Sequence, residues 1–232
     1  MKSLDFSHFE ALTFDCYGTL IDWETGIARA LSAALGEYAP EHDDELLASY
    51  ARHEAAAEAG PYLPYRAVLA RAAEGVAGEL GAALAPDASA AFADSVGDWP
   101  AFPDSAEALG RLHARFRLGV ITNCDDDLFA RSNERLGVEF DWVVTAQQVG
   151  SYKPNRRNFE VAFERLALPR DRILHVAQSL FHDHVPAKAL GLSTAWINRR
   201  HGRPGSGATP PAEATPDLEA PDMASFADRA LA

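Results

Sequence analysis

The sequence predicts an α/β fold, a Rossmann-like parallel sheet with helices on both faces and an all-helical cap inserted after the first strand. Three observations predict it. A short run of strand formers, Ala11-Leu12-Thr13-Phe14, stops at Asp15 and breaks at Gly18. Helical periodicity then continues to Trp99 with no strand pattern inside it. From Pro100 onward strand and helix signals alternate, as they do when crossover helices join parallel strands.

Taken in order, Ala11–Phe14 reads as a buried strand. In the insertion, Ile27, Leu31, Ala34 and Leu35 recur at helical spacing, and Leu69, Ala72, Val76 and Leu80 repeat the period. Breakers at Pro40, Gly60-Pro61, Gly81 and Pro86 divide the stretch into four Ala-rich helices, one of them Glu45–Glu58. Beyond Pro100 the candidate strands are Leu118–Thr122, Trp142–Thr145, Ile173–Ala177 and Thr194–Asn198, which with the first give a five-strand sheet. Helices between them carry Leu109, Leu112 and Phe116, then Phe159, Phe163 and Leu166. Arg203–Pro221, rich in Pro, Gly, Ala and Thr, reads as an irregular surface segment before a short closing helix. The expected division is residues 1–21 and 100–232 for the core and 22–99 for the cap.

Composition narrows the function. The 232 residues carry 21 Lys+Arg against 34 Asp+Glu, a net charge of −13 that argues against a nucleic-acid or membrane-surface partner. A 47% hydrophobic content supplies a core, and no stretch approaches the ~20 apolar residues that span a bilayer. Two cysteines, Cys16 and Cys124, make no disulfide framework or zinc site, and the N-terminus has no apolar leader region, so a reducing cytoplasm is expected.

Parallel strands bring their carboxyl ends to one edge, where open α/β sheets bind ligands. The polar residues just past the strands are Asp15, Thr122, Asn123, Ser179 and Asp183, with Lys153 on the loop after Thr145. The segments FDCYGTLID, ITNCD, YKPNRRNF and HVAQSLFHD contain them. In that order they resemble the four motifs of the haloacid dehalogenase superfamily, and within it most closely the type II L-2-haloacid dehalogenases, whose Rossmann-like core carries a helical cap after the first strand.

The resemblance implies a hydrolase that cleaves the carbon–halogen bond of a small anionic 2-haloacid. Asp15 would be the nucleophile, displacing the leaving group to form an ester that water then hydrolyses. Lys153 would supply the charge that keeps Asp15 ionised, and Thr19, Thr122 and Asn123 hydrogen-bond donors. Asp183 would hold the lysine and the hydrolytic water, although its place before Pro186 also fits a helix N-cap. Phosphatases of this superfamily place a second Asp two residues after the nucleophile as general acid; here that position is Tyr17, which suits a leaving group needing no proton, or packs beneath the cap. The family's halide-binding cap arginine has its best positional match in Arg52, which equally reads as a solvated helix residue, with His53 a weaker candidate. Trp23 could line the pocket or pack the hinge. His182 could reach the site, whereas His182, Asp183 and His184 are adjacent in sequence and read poorly as a chelate. Neither a metal nor another cofactor is expected.

The sequence also departs from the family. Leu180 stands where the fourth motif has Asn, and Phe159 where a Tyr follows the lysine. Asp125–Asp127 read as favouring a helix N-terminus. Relatives of this subgroup hydrolyse other carbon–heteroatom bonds, such as that broken in azetidine-2-carboxylate ring opening, and they are often dimers. A metal-dependent phosphatase on the same fold is the less favoured alternative.

Overall fold

The computed structural model describes residues 4–232. Its six strands are β1 Ala11–Phe14, β2 Arg117–Thr122, β3 Trp142–Thr145, β4 Ile173–Ala177, β5 Ser193–Ile197 and β6 Leu218–Ala220, all parallel in the order β3-β2-β1-β4-β5-β6. β1 lies inside the sheet, with Leu12 opposite Leu118 of β2 on one side and Leu174 of β4 on the other. All four of its residues are buried, which is why it reads as a continuous run and not an alternation. After β1 the chain builds outward through β2 and β3, then returns to the other flank of β1 for β4. That reversal opens the crevice in which such sheets bind ligands, and Asp15 emerges into it.

The insertion is four helices, α1 Trp23–Leu35, α2 Asp43–Glu58, α3 Tyr65–Glu79 and α4 Pro86–Asp94. Asp22 caps α1 by accepting from the Thr25 N–H, and Pro86 begins α4 where a missing N–H costs nothing. Ile27, Leu31, Leu69, Ala72 and Val76 are fully buried, as their period demands. Leu80 is 37% exposed, because α3 ends one residue before it. The remaining helices are α5 Ser105–His113, α6 Asp126–Leu136, α7 Ala146–Val149, α8 Arg156–Leu166, α9 Val185–Ala189 and α10 Met223–Ala230, the last being the expected closing helix.

The sheet has one strand more than the five expected. β6 lies in the tail read as irregular, with Leu218 opposite Ala195. Three residues on a sheet edge are too short to show a period of two. Asp217 fixes the tail by accepting from the Thr194 N–H and from Lys188 Nζ, both at 2.8 Å. The reading of the N-terminus as leader-free includes Met1–Ser3, which lie outside the described residues. Among the described residues no helix is long and apolar enough to cross a membrane.

Candidate active site

The turn after β1 shapes the surroundings of Asp15. The N–H groups of Leu20 and Ile21 both donate to the Cys16 carbonyl, at 2.8 and 3.0 Å. Gly18 sits at φ +91°, where a Cβ would come 2.8 Å from the Trp23 ring nitrogen, so no larger residue fits. The turn aims Thr19 back at Asp15: its Oγ1 donates to Asp15 Oδ2 at 2.6 Å and accepts from the Gln178 N–H at 2.8 Å.

Lys153 completes the centre. Its Nζ is buried and donates to Asp15 Oδ1, Asp183 Oδ1 and the Ile121 carbonyl, each at 2.8 Å, so all three ammonium protons are used. Asn123 clamps the lysine's backbone, accepting from its N–H at 2.7 Å and donating to its carbonyl at 2.9 Å. Asp183 Oδ1 also meets His175 Nε2 at 2.9 Å, and His175 Nδ1 is held 3.0 Å from Thr13 Oγ1. Asp183 Oδ2 is buried and has no hydrogen-bond partner. Burial opposes the charge on Lys153, but Asp15 and Asp183 outweigh it and hold the ammonium above its ordinary range. Burial likewise pushes Asp15 up, against the pull of Lys153. For Asp183, Lys153 and His175 overcome burial and hold the carboxyl well below the usual carboxylate range.

Asp183 lies in one wide turn of π geometry, Leu180–His184. Ser179 caps that turn, its Oγ accepting from the His182 N–H at 2.9 Å, so Asp183 is no N-cap and its carboxylate is free for the site. The neighbouring histidines diverge: His184 Nε2 lies 2.9 Å from the Ala177 carbonyl, while His182 Nδ1 lies 3.1 Å from Ser179 Oγ. Among the described residues no three His, Cys, Asp or Glu side chains are grouped to hold a metal ion, and the lysine ammonium fills the space between Asp15 and Asp183.

The insertion closes over this centre, leaving a cavity of about 20 Å³ bounded by Asp15, Lys153, Asp183 and His182 from below and by Glu54, Glu58 and Tyr65 from α2 and α3. Glu54 is 3% exposed, and one oxygen accepts from the hydroxyls of both Tyr50 and Tyr65 at 2.7 Å. Burial pushes its carboxyl up to about 7, against the lowering from the two tyrosines. The folded protein therefore keeps a proton on Glu54 that the unfolded chain loses near 4.5. Its contribution to stability is complete below that pH and is lost as pH rises to about 7, a swing of roughly 3 kcal/mol. Urea unfolding at pH 5 and pH 8 is expected to show a fall in the wild type that is smaller in Glu54→Gln by about this amount, the remainder coming from other buried carboxyls raised on folding, such as Asp15; equal falls in both would refute it.

The sequence model of the haloacid dehalogenase-like hydrolases matches residues 9–189. The chain belongs to that family. It is 24% identical over 204 residues to an (S)-2-haloacid dehalogenase of Pseudomonas putida, covering 84% of this chain and 87% of that protein. It is 32% identical over 111 residues to the pyrimidine 5′-nucleotidase YjjG of Escherichia coli, covering 47% of this chain and 49% of that protein. The crystal structure of the L-2-haloacid dehalogenase PA0810 superposes with a TM-score of 0.77 at 25% identity, over 95% of this chain and 98% of that one.

Within this haloacid dehalogenase-like hydrolase, Asp15, Thr19, Lys153, Asp183, Asn123, Ser179, His182, Tyr17 and Trp23 all come to the cavity or to its immediate hydrogen bonds. Thr122 is fully buried at the end of β2 and stays outside the cavity lining. Tyr17 forms a wall, with its hydroxyl 3.0 Å from Ser132 Oγ and 3.3 Å from Cys124 Sγ and its ring edge-on to Trp99. Burial raises its phenol well above the ordinary value, which unsuits it further for proton transfer.

The expectations for Arg52 and His53 are corrected. Arg52 does not reach the cavity: its side chain is 61% exposed and pairs with Glu79 at 2.9 Å, because it sits about 200° round α2 from Glu54. His53 lies beside the same Glu79. Asp125 caps a helix other than its own, accepting from the N–H groups of Tyr65 and Arg66 at the start of α3 and so tying the insertion to the core. Leu180 lines a separate surface cavity near the tail. Phe159 packs edge-on to His175 at 5.1 Å.

Sequence reading passed over Glu54, Glu58 and His175. Glu54 and Glu58 follow Tyr50 at i+4 and i+8, on the buried face of α2 that Leu46 and Leu47 begin. Two carboxylates on an apolar stripe were the available signal. For His175 it was a lone polar ring inside the buried run ILHVA.

Proposed function

We propose that this hydrolase cleaves a carbon–heteroatom bond of a small organic substrate through an aspartyl ester at Asp15, as a member of the (S)-2-haloacid dehalogenase type. Residues 22–99 act as the cap, and residues 1–21 and 100–232 as the catalytic core. The observation that carries the reading is the buried bridge from Lys153 to both Asp15 and Asp183, with Asp183 Oδ2 left free. Asp15 has one oxygen on Lys153 and one on Thr19, which fixes the carboxylate for attack at a saturated carbon. The C–X bond breaks as the C–O bond forms, inverting the carbon. A water on Asp183 Oδ2 then attacks the ester carbonyl, and Lys153 offsets the charge that develops. No step requires a metal. A phosphatase would need an acid at position 17, where Tyr17 is already engaged with Ser132 and Cys124.

The test is a single turnover in ¹⁸O-water on 2-haloacids, including fluoroacetate. The expected alcohol carries unlabelled oxygen drawn from Asp15, and label enters Asp15 instead. Labelled alcohol would mean that water attacks the substrate directly and would overturn the reading. Hydrolysis of p-nitrophenyl phosphate with added magnesium would favour the phosphatase.

A further inference from the structure

The chamber at Asp15, at about 20 Å³, has room for about one water. Beside it lies a cavity of about 400 Å³, between the end of α2 and the core loop that carries Lys153. Glu58 and Lys153 border both spaces. The one hydrogen-bonding partner of Glu58 among the described residues is Asn123 Nδ2, at 3.2 and 3.4 Å from its two oxygens, at and beyond the long end of the usual range. Glu58 is also the last residue of α2, and the chain leaves the helix directly after it through Ala59 and Gly60. The partition between the two spaces is therefore weak.

Aromatic rings wall the larger cavity. Tyr62, from the link between α2 and α3, stacks on Tyr152 of the core, with ring centroids 5.3 Å apart and 28° between the planes. Tyr152 is fixed there, its hydroxyl donating to the Leu63 carbonyl at 2.6 Å. Phe181 lines the same cavity from the wide turn after β4, while the next residue, His182, lines the chamber. Their rings meet edge-on at 4.9 Å, so one turn of backbone serves both spaces. Ala55, one turn before Glu58 on α2, presents only a methyl group to the cavity and leaves it room.

Size and charge identify the occupant. An apolar cavity of ~150 Å³ holds a benzene ring, so about 400 Å³ takes one together with its linking carbon. Aromatic walls favour a flat ring, which stacks on them or meets them edge-on. A phosphate is not served: among the lining residues Lys153 is the sole cation, and its three ammonium protons go to Asp15, Asp183 and the Ile121 carbonyl. A preformed apolar wall beside a few convergent polar groups is how small-molecule sites are built.

We propose that this cavity is the specificity pocket for an aryl arm on the carbon that Asp15 attacks, so that the preferred substrate is a 2-haloacid bearing an aromatic ring at C3, selected by Tyr62, Tyr152 and Phe181. This rests on the aspartyl-ester reading and deepens it. One oxygen of Asp15 bonds to C2 as the carbon–halogen bond breaks, and the halide leaves with the electron pair. Water then cleaves the ester to the 2-hydroxy acid, and its second proton passes to solvent. The arm takes no part in bond making. It extends past Glu58 and buries its ring against the three aromatic side chains, which strengthens binding of substrate and transition state alike, so the discrimination falls in KM.

The experiment compares (S)-2-bromo-3-phenylpropionate with (S)-2-bromopropionate in wild type, Phe181→Ala and Ala55→Phe, by steady-state bromide release and by mass spectrometry of the Asp15 peptide in single turnovers. Wild type is expected to favour the aryl acid in kcat/KM by about 10- to 100-fold. Phe181→Ala should lower that ratio by about 10-fold, through KM. Ala55→Phe fills the cavity and should remove the preference altogether. Bromopropionate turnover is expected to be unchanged in both variants, which shows that they are folded. No preference for the aryl acid in wild type, a ratio that neither variant moves, or equal losses on both acids would overturn the specificity pocket, while label on Asp15 from bromopropionate keeps the ester reading in place. No label from either acid would overturn that reading and this proposal together.

Discussion

Replacing Lys153 by Met is expected to destabilise the fold by about 3–5 kcal/mol at neutral pH, because removing one partner of a buried ion pair leaves charge in the core with nothing to balance it. Here two carboxylates lose their shared cation: Asp15 is 6% exposed and Asp183 fully buried. The pH dependence carries a definite sign. Asp183 is held below its ordinary value by Lys153, so it contributes stability that is present above the unfolded carboxylate value and is lost as pH falls through the folded one. In Lys153→Met that contribution is gone, and Asp15 and Asp183 take up protons on folding. The gap between variant and wild type should therefore widen as pH rises from about 4 toward 8. Urea denaturation across that range measures it. A gap independent of pH would mean that lost packing, and not lost charge, is responsible. Adding Asp183→Asn should restore part of the stability by removing one stranded carboxylate.

Asp15→Asn is expected to abolish turnover, by at least about 10⁴-fold, and to leave the Asp15 peptide unmodified with every substrate. The amide keeps the shape and one acceptor for Lys153 while removing the nucleophilic charge. Stability should change far less than in Lys153→Met, since Lys153 retains Asp183 and the Ile121 carbonyl. Turnover surviving above that limit would place the chemistry elsewhere.

The candidate site was legible because each member is anchored to a strand end by a short segment. Asp15 follows β1 directly, Asn123 follows β2, and Ser179 and Asp183 follow β4, so once the strands were read from their apolar runs the sheet had to bring them together. The strand boundaries shifted by one residue at most: Ser193–Ile197 replaces Thr194–Asn198, and Arg117 extends β2. The chemistry of the site's upper half was less legible. Acidity on the insertion reads as a solubility feature when charges are only counted, yet Glu54 and Glu58 turn inward and Arg52, on the same helix, turns out.

The chain's own pattern determined the parallel sheet, the helical insertion and the gathering of Asp15, Lys153 and Asp183 at one sheet edge, all of which depend on local periodicity and on residues adjoining strand ends. Only the tertiary structure decided which face of α2 meets the core, that Asp125 caps α3 across 60 residues of sequence, and that the edge strand β6 forms. Those outcomes rest on how one element is rotated and seated against another. Two residues along a helix turn a side chain by about 200° about its axis, which is what separates the solvated Arg52 from the buried Glu54 at the mouth of the site.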